Sequence, residues 1–346
     1  MKPFFIGPVR VDPPLLQAPM VGYTHYAFRS LVRRLGGVGL LATEMISARE
    51  FLFRRARGKG LPGPLWRVKE EERPLAVQIW ENDPARLAEA AACLVQEFRV
   101  SVVDLNFGCP ARQVAQKAQS GAYLLRCPER IGELVRQVVA ACAPTPVTAK
   151  IRLGPHRQQI TAPEVAQAVE EAGGAALTVH GRTTQDRFGG QADWEAIAQV
   201  KTYLKRIPLI GNGDIRSAAE VLEAFRQWPV DGVMIGRAAL TKPWIFRQAA
   251  ALLDGAPLPP EPSLLQRRQW LVEYYDGVVE QHGPKKATLL MRRLAPLFVE
   301  GLPYARTFRA ELCRTTAPEE FLRLVEQFFA GQSDGNISPP RRKGKP

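Results

Sequence analysis

Eight short apolar runs, each followed by a stretch of helical character, predict an α/β fold: a (β/α)8 TIM barrel followed by a small all-helical C-terminal domain. Two further observations point the same way. Polar and charged residues gather at the ends of the runs, where such a barrel carries its site, and the rhythm stops after residue 237. The competing architecture for alternating strands and helices is an open, doubly wound sheet. Eight units over about 220 residues suit the closed barrel.

The runs are LLQAPM (15–20), GLLATEM (39–45), LAVQIW (75–80), SVVDLNFG (101–108), PVTAKIR (146–152), AALTVHGR (175–182), IPLIGNGD (207–214) and DGVMIGR (231–237). Helix starts lie between them: Asp83-Pro84 before ARLAEAAACLVQEF, Pro128-Glu129 before RIGELVRQVVAACA, and Ser217 before AAEVLEAFRQW. ALTKPWIFRQAAALLDG reads as the last barrel helix. The stretch APLPPEPS (256–263), with four prolines, reads as a linker. From Leu264 to Phe329 apolar residues recur at helical spacing, as in WLVEYYDGVVEQH and EEFLRLVEQFF. The expected organisation is a catalytic barrel over 1–255, a linker over 256–263, a helical domain over 264–330 and a disordered basic tail over 331–346.

The 346 residues are 46% hydrophobic and 23% charged, a globular composition. No run approaches the roughly 18 apolar residues of a membrane span, and MKPFFIGPVR lacks a signal-peptide core. Five cysteines without CxxC or Cys/His metal spacing suggest a reducing, cytoplasmic compartment and no structural metal. Net charge is +13 and unevenly spread. Residues 1–75 hold 13 Lys/Arg against 6 Asp/Glu (+7), residues 76–262 hold 20 against 19 (+1), and residues 263–346 hold 14 against 9 (+5). Basic ends around a neutral middle fit either a solubility feature or a polyanionic partner such as nucleic acid.

In a (β/α)8 barrel the site lies at the C-terminal ends of the strands. Gln78, Asn106, Lys150, Arg152, His180, Arg182, Asn212, Asp214 and Arg237 fall there. Buried charge without a partner is costly, so apolar strands that end in these groups imply a polar ligand. GNGD (211–214) and IGR (235–237) follow strands seven and eight, where many barrels bind a phosphate. Glycines 213 and 236 permit close backbone approach, and Arg237 adds charge-assisted hydrogen bonds. Across the barrel, Gln78 can donate and accept at an imide-like edge, Lys150 offers a cation to a ring that becomes anionic on reduction, and Ala18-Pro19-Met20 can lie along its face. Together these groups suit FMN. The sequence has no GxGxxG strand–helix fingerprint for a nicotinamide cofactor.

APMVGYT, AVQIW, DLNFGCP, SGAYLL, VTAKIRLG, TVHGRT, ADW, IGNGDI and MIGRAAL, in this order, resemble the tRNA-dihydrouridine synthase family. GLPYARTFRAEL resembles the C-terminal pattern of its bacterial B-type branch. The resemblance spans residue 18 to about 329 and implies a flavoenzyme that passes hydride from FMN to C6 of a uracil in tRNA, with NADPH or NADH as transient reductant. It implies that Ala18, Pro19, Met20, Gln78, Lys150, His180, Asn212, Gly213, Asp214, Gly236 and Arg237 bind FMN. Asn106, Arg152, Arg182, Arg292 and Arg293 would address the substrate, and Cys109 would protonate C5. An ordinary thiol, with a pKa of about 8.5, is protonated at neutral pH and still releases its proton readily. Cys93, Cys127, Cys142 and Cys313 read as core filler. Arg49, Arg54, Arg55, Arg57 and Lys59, with Lys285, Lys286, Arg306 and Arg309, would contact phosphates of a tRNA whose uridine is flipped out. No metal, membrane or obligatory protein partner is expected. The sequence departs from the family pattern at His25, where an acidic residue is common, and at Leu294 and Phe298 in MRRLAPLF, where polar groups are common. Two rival readings are an FMN barrel acting on a free pyrimidine, as dihydroorotate dehydrogenases do, and a non-catalytic tRNA-binding protein.

Overall fold

A short antiparallel hairpin, β1 (Phe4–Ile6) and β2 (Val9–Val11), begins the computed structural model, which describes residues 2–68 and 72–332. The eight runs follow as β3 (Leu15–Gln17), β4 (Leu41–Ala42) continued by β5 (Ile46–Ser47), β6 (Leu75–Trp80), β7 (Val102–Phe107), β8 (Val147–Arg152), β9 (Ala176–His180), β10 (Leu209–Asn212) and β11 (Gly232–Ile235). Paired neighbours are parallel, in the order β3-β11-β10-β9-β8-β7-β6-β4. A parallel bridge between Leu16 and Leu40, with the Gln17 N–H donating to the Leu40 carbonyl at 3.0 Å, joins the two ends. The eight-stranded barrel is closed.

The second run is broken where a straight strand was expected. Between β4 and β5 the hydroxyl of Thr43 accepts from the Gln78 N–H at 3.2 Å, so a side chain replaces one backbone rung. The helices between the strands are α1 (Tyr26–Leu35), α2 (Ala48–Ala56), α3 (Pro84–Phe98), α4 (Pro128–Cys142), α5 (Ala162–Glu171), α6 (Trp194–Val200) and α7 (Ala218–Gln227). Asp83 and Ser217 cap α3 and α7 by accepting from the N–H groups of Arg86 and Glu220. The expected last barrel helix is two pieces, α8 (Arg237–Thr241) and α9 (Ile245–Leu253). Pro243 lies in the break, where a residue without an N–H would interrupt a continuous helix.

The barrel interior changes character along its axis. At the N-terminal end Ile6 and Val11 of the hairpin pack with Leu16, Leu40, Ala76, Val102, Ala176 and Ile210. Further along the same strands the inward positions become Gln78, Asp104, Thr148 and Thr178, and then Asn106, Lys150, His180 and Asn212. Side chains two apart share a strand face, so β6, β7, β9 and β10 each pass from an apolar inward residue to a polar one.

The described residues form two compact units: the chain up to 239 with 244–258, and 240–243 with the chain from 259 onward. The second contains α10 (Leu264–His282), α11 (Pro284–Phe298), α12 (Ala305–Leu312) and α13 (Pro318–Ala330). Ser263 and Gln266 form a capping box at the start of α10. Tyr275 stacks on Phe321 with ring centroids 4.4 Å apart, and its hydroxyl meets Thr288 Oγ1 at 3.0 Å. Leu294 and Phe298 are buried in this core, which accounts for apolar residues at these two positions. Residues 333–346 of the expected tail lie outside the described residues. Among the described residues no helix is long and apolar enough to cross a membrane.

Candidate active site at the C-terminal ends of the strands

The segment DLNFGCP ends β7 and turns at the barrel mouth. Asn106 builds the turn: its Oδ1 accepts from the backbone N–H groups of Cys109 at 2.9 Å and Gly108 at 3.2 Å. Its Nδ2 donates to Gln78 Oε1 at 2.7 Å. Gln78 Nε2 donates in turn to Asp104 Oδ2 at 2.7 Å, and Thr148 Oγ1 donates to Asp104 Oδ1 at 2.7 Å. Behind the turn the Ala122 N–H donates to the Cys109 carbonyl at 3.1 Å. Gly121 makes this approach possible: its φ is +56°, and a Cβ there would lie 2.9 Å from the Cys109 oxygen and 2.8 Å from Val114 Cγ1. Cys109 is half-buried. Burial pushes its thiol up, against the pull of a backbone hydrogen bond at Ala111 and of Arg152 and Lys150.

Lys150 donates from Nζ to Asn212 Oδ1 at 3.0 Å, and Asn212 Nδ2 donates to the Met234 carbonyl at 2.8 Å. Asn212 thus positions the ammonium group. Burial, with Arg152 adding, lowers Lys150 to about 8, while Asp104 and Cys109 oppose the shift. His180 is brought down to about 2 by burial and by Lys150, Arg152, Arg182 and Arg237, so its imidazole is neutral at physiological pH.

Arg182 is not placed as expected. It is 2% exposed, and its Nη1 and Nη2 donate to Asp214 Oδ1 and Oδ2 at 3.0 and 2.7 Å. Nε and Nη2 also donate to the carbonyls of Gly189 and Gly190 at 2.9 and 2.7 Å, and Nη1 lies 3.5 Å from His180 Nε2. Four of its N–H groups are held by these carbonyl and carboxylate oxygens, and the fifth faces the His180 ring. Asp214, expected at the cofactor, also accepts from the Ala192 N–H at 2.8 Å and from Arg237 Nη2 at 3.0 Å. It therefore holds Arg237, whose side chain is 59% exposed, just beyond the end of β11. A Cβ at Gly213 would lie 2.4 Å from Ala192 Cβ, so this glycine serves packing. One at Gly236 would meet only Ala18 Cβ and Met20 Sδ at ordinary distances of 3.6 and 3.8 Å.

Arg152 is buried and donates to the carbonyls of Gly108, Thr183 and Arg187 at 3.0, 2.9 and 2.8 Å, which leaves Nη2 for a ligand. Its guanidinium and that of Arg237 flank Phe188, with Cζ 5.6 and 5.4 Å from the ring centroid. Phe188 is 61% exposed, and sequence reasoning missed it. The available signal was a lone aromatic in the polar loop TTQDRFGGQ after strand six. Ala18, Pro19 and Met20 follow β3 in a turn whose backbone is satisfied internally. The Ala18 N–H donates to the Ile235 carbonyl at 2.9 Å and the Met20 N–H to Thr24 Oγ1 at 3.0 Å. What Pro19 and Met20 offer a ligand is apolar side-chain surface.

Two further expectations change. Cys93 and Cys142 are buried, but Cys127 and Cys313 are exposed and fill no core. Arg292, half-buried in α11, donates from Nε to the Thr315 carbonyl at 2.6 Å, so it braces the turn between α12 and α13. Arg293, Lys285, Lys286, Arg306 and Arg309 are exposed. Among the described residues no cluster of His, Cys, Asp and Glu could hold a metal ion.

A family model described as dihydrouridine synthase matches residues 16–333. The chain belongs to the dihydrouridine synthase family. It is 38% identical to tRNA-dihydrouridine synthase B of Pseudomonas aeruginosa, over 94% of this chain and 95% of that one. It is 36% identical to the Xanthomonas campestris protein of the same name, over 97% and 98%, which supports the B-type branch. A probable tRNA-dihydrouridine synthase of Rhodobacter capsulatus is 36% identical over 93% and 96%. Among solved structures, a histamine dehydrogenase from Rhizobium sp. 4-9 superposes with a TM-score of 0.55 and 13% identity, covering 80% of this chain and 50% of that one. TcOYE with pHBA gives 0.53 and 13%, covering 75% and 94%. At that identity the likeness concerns the barrel fold, which the two structures share with this chain.

Proposed function

We propose that this chain is a flavin-dependent tRNA-dihydrouridine synthase that reduces the C5=C6 bond of a uridine in tRNA. The observation that carries the reading is Cys109: a protonated, half-buried thiol, held at the barrel mouth by Asn106 and facing the cations of Lys150 and Arg152. The residues present suit a phosphorylated flavin. Arg237 extends from the phosphate end with Gly236 open beside it, Lys150 keeps two ammonium protons beyond its bond to Asn212, and Pro19 with Met20 gives an apolar face. FMN would supply the hydride to C6, and NADPH or NADH would restore it in turn.

The protein's own part is proton delivery and charge control. Hydride addition at C6 leaves an enolate-like charge over C5 and O4. Cys109 gives its proton to C5, and the thiolate left behind is stabilised by Lys150 and Arg152 until it takes a proton from water. Arg152 Nη2 would meet a uracil oxygen, a reading supported by Nε and Nη1 alone being taken up by carbonyls. The resemblance assigns the same role to Asn106, but its amide is already engaged by Gln78 and the turn, so its part is chiefly to hold Cys109.

A uracil inside folded tRNA must be flipped out to reach this site, at a cost of a few kcal/mol repaid by contacts elsewhere. Arg49, Arg54, Arg55, Arg57 and Lys59 follow strand two on the mouth side. Phe53 among them is exposed, with Arg57 Cζ 4.3 Å from its ring centroid. These residues and the exposed cations of α11 and α12 are proposed phosphate contacts.

Purified protein showing a flavin spectrum and forming dihydrouridine in a tRNA transcript, but not from free uridine, supports the proposal. Activity on dihydroorotate instead would favour the free-pyrimidine reading. A colourless protein that binds tRNA and reduces nothing would leave only the binding module.

A further inference from the structure

Asp104 lies two residues before Asn106 on the inward face of β7, and no step above uses it. Its buried carboxylate is joined to the cysteine turn by two amides in series. The polarity of that series is set from both ends. Backbone N–H groups only donate, so the Asn106 atom facing Gly108 and Cys109 must be oxygen. The Asn106 nitrogen then faces Gln78, whose oxygen must turn toward it. The Gln78 nitrogen is left needing an acceptor at the far end, and Asp104 Oδ2 is that acceptor.

We infer that Asp104 is a positioning residue for Cys109, acting through Gln78 and Asn106 to fix the turn that presents the thiol. An apolar side chain at 104 would strand Gln78 Nε2 without a partner. Gln78 then loses the anchor that holds its oxygen toward Asn106 Nδ2, and the turn that Asn106 braces loosens. Burial raises the Asp104 carboxyl, opposed by its bonds to Thr148 and Gln78 and by Lys150. Both protonation states serve, since a proton on Oδ1 points at Thr148 Oγ1 and leaves Oδ2 accepting. Asp104→Asn can likewise keep its oxygen toward Gln78 and give its nitrogen to Thr148. Asp104→Leu cannot.

The inference rests on the role proposed for Cys109, so its test has two independent readouts: steady-state uridine reduction in a tRNA transcript, and thermal unfolding. Asp104→Asn keeps kcat within about threefold, whereas Asp104→Leu lowers it about 100-fold, the size of a 1 Å misplacement. KM for tRNA stays at its wild-type value in both, and Asp104→Asn keeps its bound-flavin absorbance. Asn106→Asp places carboxylates at both ends of Gln78 and lowers Tm. Adding Asp104→Asn lets Gln78 turn over, so that its bonds to residues 104 and 106 both re-form with reversed polarity, while the backbone N–H groups and Thr148 go on donating. The double variant then recovers most of the lost Tm, on the order of 5 °C. Wild-type kcat in Asp104→Leu overturns the inference. So does a joint fall of kcat, tRNA affinity and flavin content, or an additive Tm cycle. A wild-type protein that leaves tRNA unreduced overturns the functional reading instead, and the Tm cycle then decides whether Asp104 sets the turn.

Discussion

The backbone N–H of Cys109 donates to Oδ1 of Asn106 at 2.9 Å, so the penultimate residue of β7 also fixes the turn carrying the thiol. From the other side the SGAYLL segment reaches the Cys109 carbonyl across Gly121. Gly121→Ala adds a Cβ at φ +56° and 2.9 Å from that oxygen, so the turn must shift. The expected cost is about 1–3 kcal/mol of stability, with a drop in kcat larger than the change in flavin affinity. Chemical denaturation, flavin titration and turnover measured on one preparation check this.

Arg182, which is buried, and Asp214, which is half-buried, form a bidentate pair at 2.7 and 3.0 Å. Arg182→Ala leaves Asp214 with only the exposed Arg237 as a charged partner and frees two loop carbonyls. Removing charge-assisted hydrogen bonds of this kind costs about 1.5–3 kcal/mol, measurable as a loss of unfolding free energy in urea. Arg182→Lys recovers part of this, because one ammonium cannot replace the fork. Direct substrate contact, by contrast, would show as a change in tRNA KM without a stability loss.

Lys150 gives a pH dependence with opposite signs for activity and stability. Its ammonium form is the one that stabilises developing negative charge. With the group lowered to about 8, kcat is flat below pH 7 and falls as pH rises through 8. The unfolded chain holds this proton up to the ordinary lysine value of 10.5, so the burial penalty on stability is full below about pH 8 and fades between there and 10.5. The Tm of Lys150→Met minus that of wild type should therefore shrink over the pH range in which wild-type kcat is falling. A Tm difference that stays constant or grows over that range would contradict it.

Much of this site was legible before any coordinates, for a physical reason. A closed parallel barrel fixes where strands end, so alternation along VTAKIR or TVHGR suffices to aim Lys150, Arg152 and His180. What stayed hidden depends on which partner each polar group finds. Arg182 and Arg237 look alike in sequence, yet one is held inside the protein and the other is exposed beside Asp214. Asp104 was hidden by the visible cysteine motif that contains it. The β1–β2 hairpin was not anticipated, because two three-residue strands carry too little periodicity to register. The exposed Cys127 and Cys313 show the same limit, since helix edges alternate between core and solvent within one turn.

Binding of tRNA should weaken steeply with salt, because it rests on phosphate contacts. Neutralising single residues among Arg57, Lys59, Lys285, Lys286 and Arg306 should each reduce the slope of log affinity against log salt by about 1 where the contact is real. Arg292→Gln should instead lower the stability of the helical unit, since its Nε braces the Thr315 carbonyl. Titrations of labelled transcript at several salt concentrations separate the two behaviours, and a flat salt response would remove the proposed phosphate contacts.

The most direct test is a single turnover of the Cys109→Ala variant, reduced beforehand and mixed with a tRNA transcript, beside wild type. The account predicts dihydrouridine from wild type, and a rate lower by about 100-fold or more from a variant that still holds its flavin. Dihydrouridine formed at the wild-type rate by that variant would contradict the assignment of Cys109 as the proton donor.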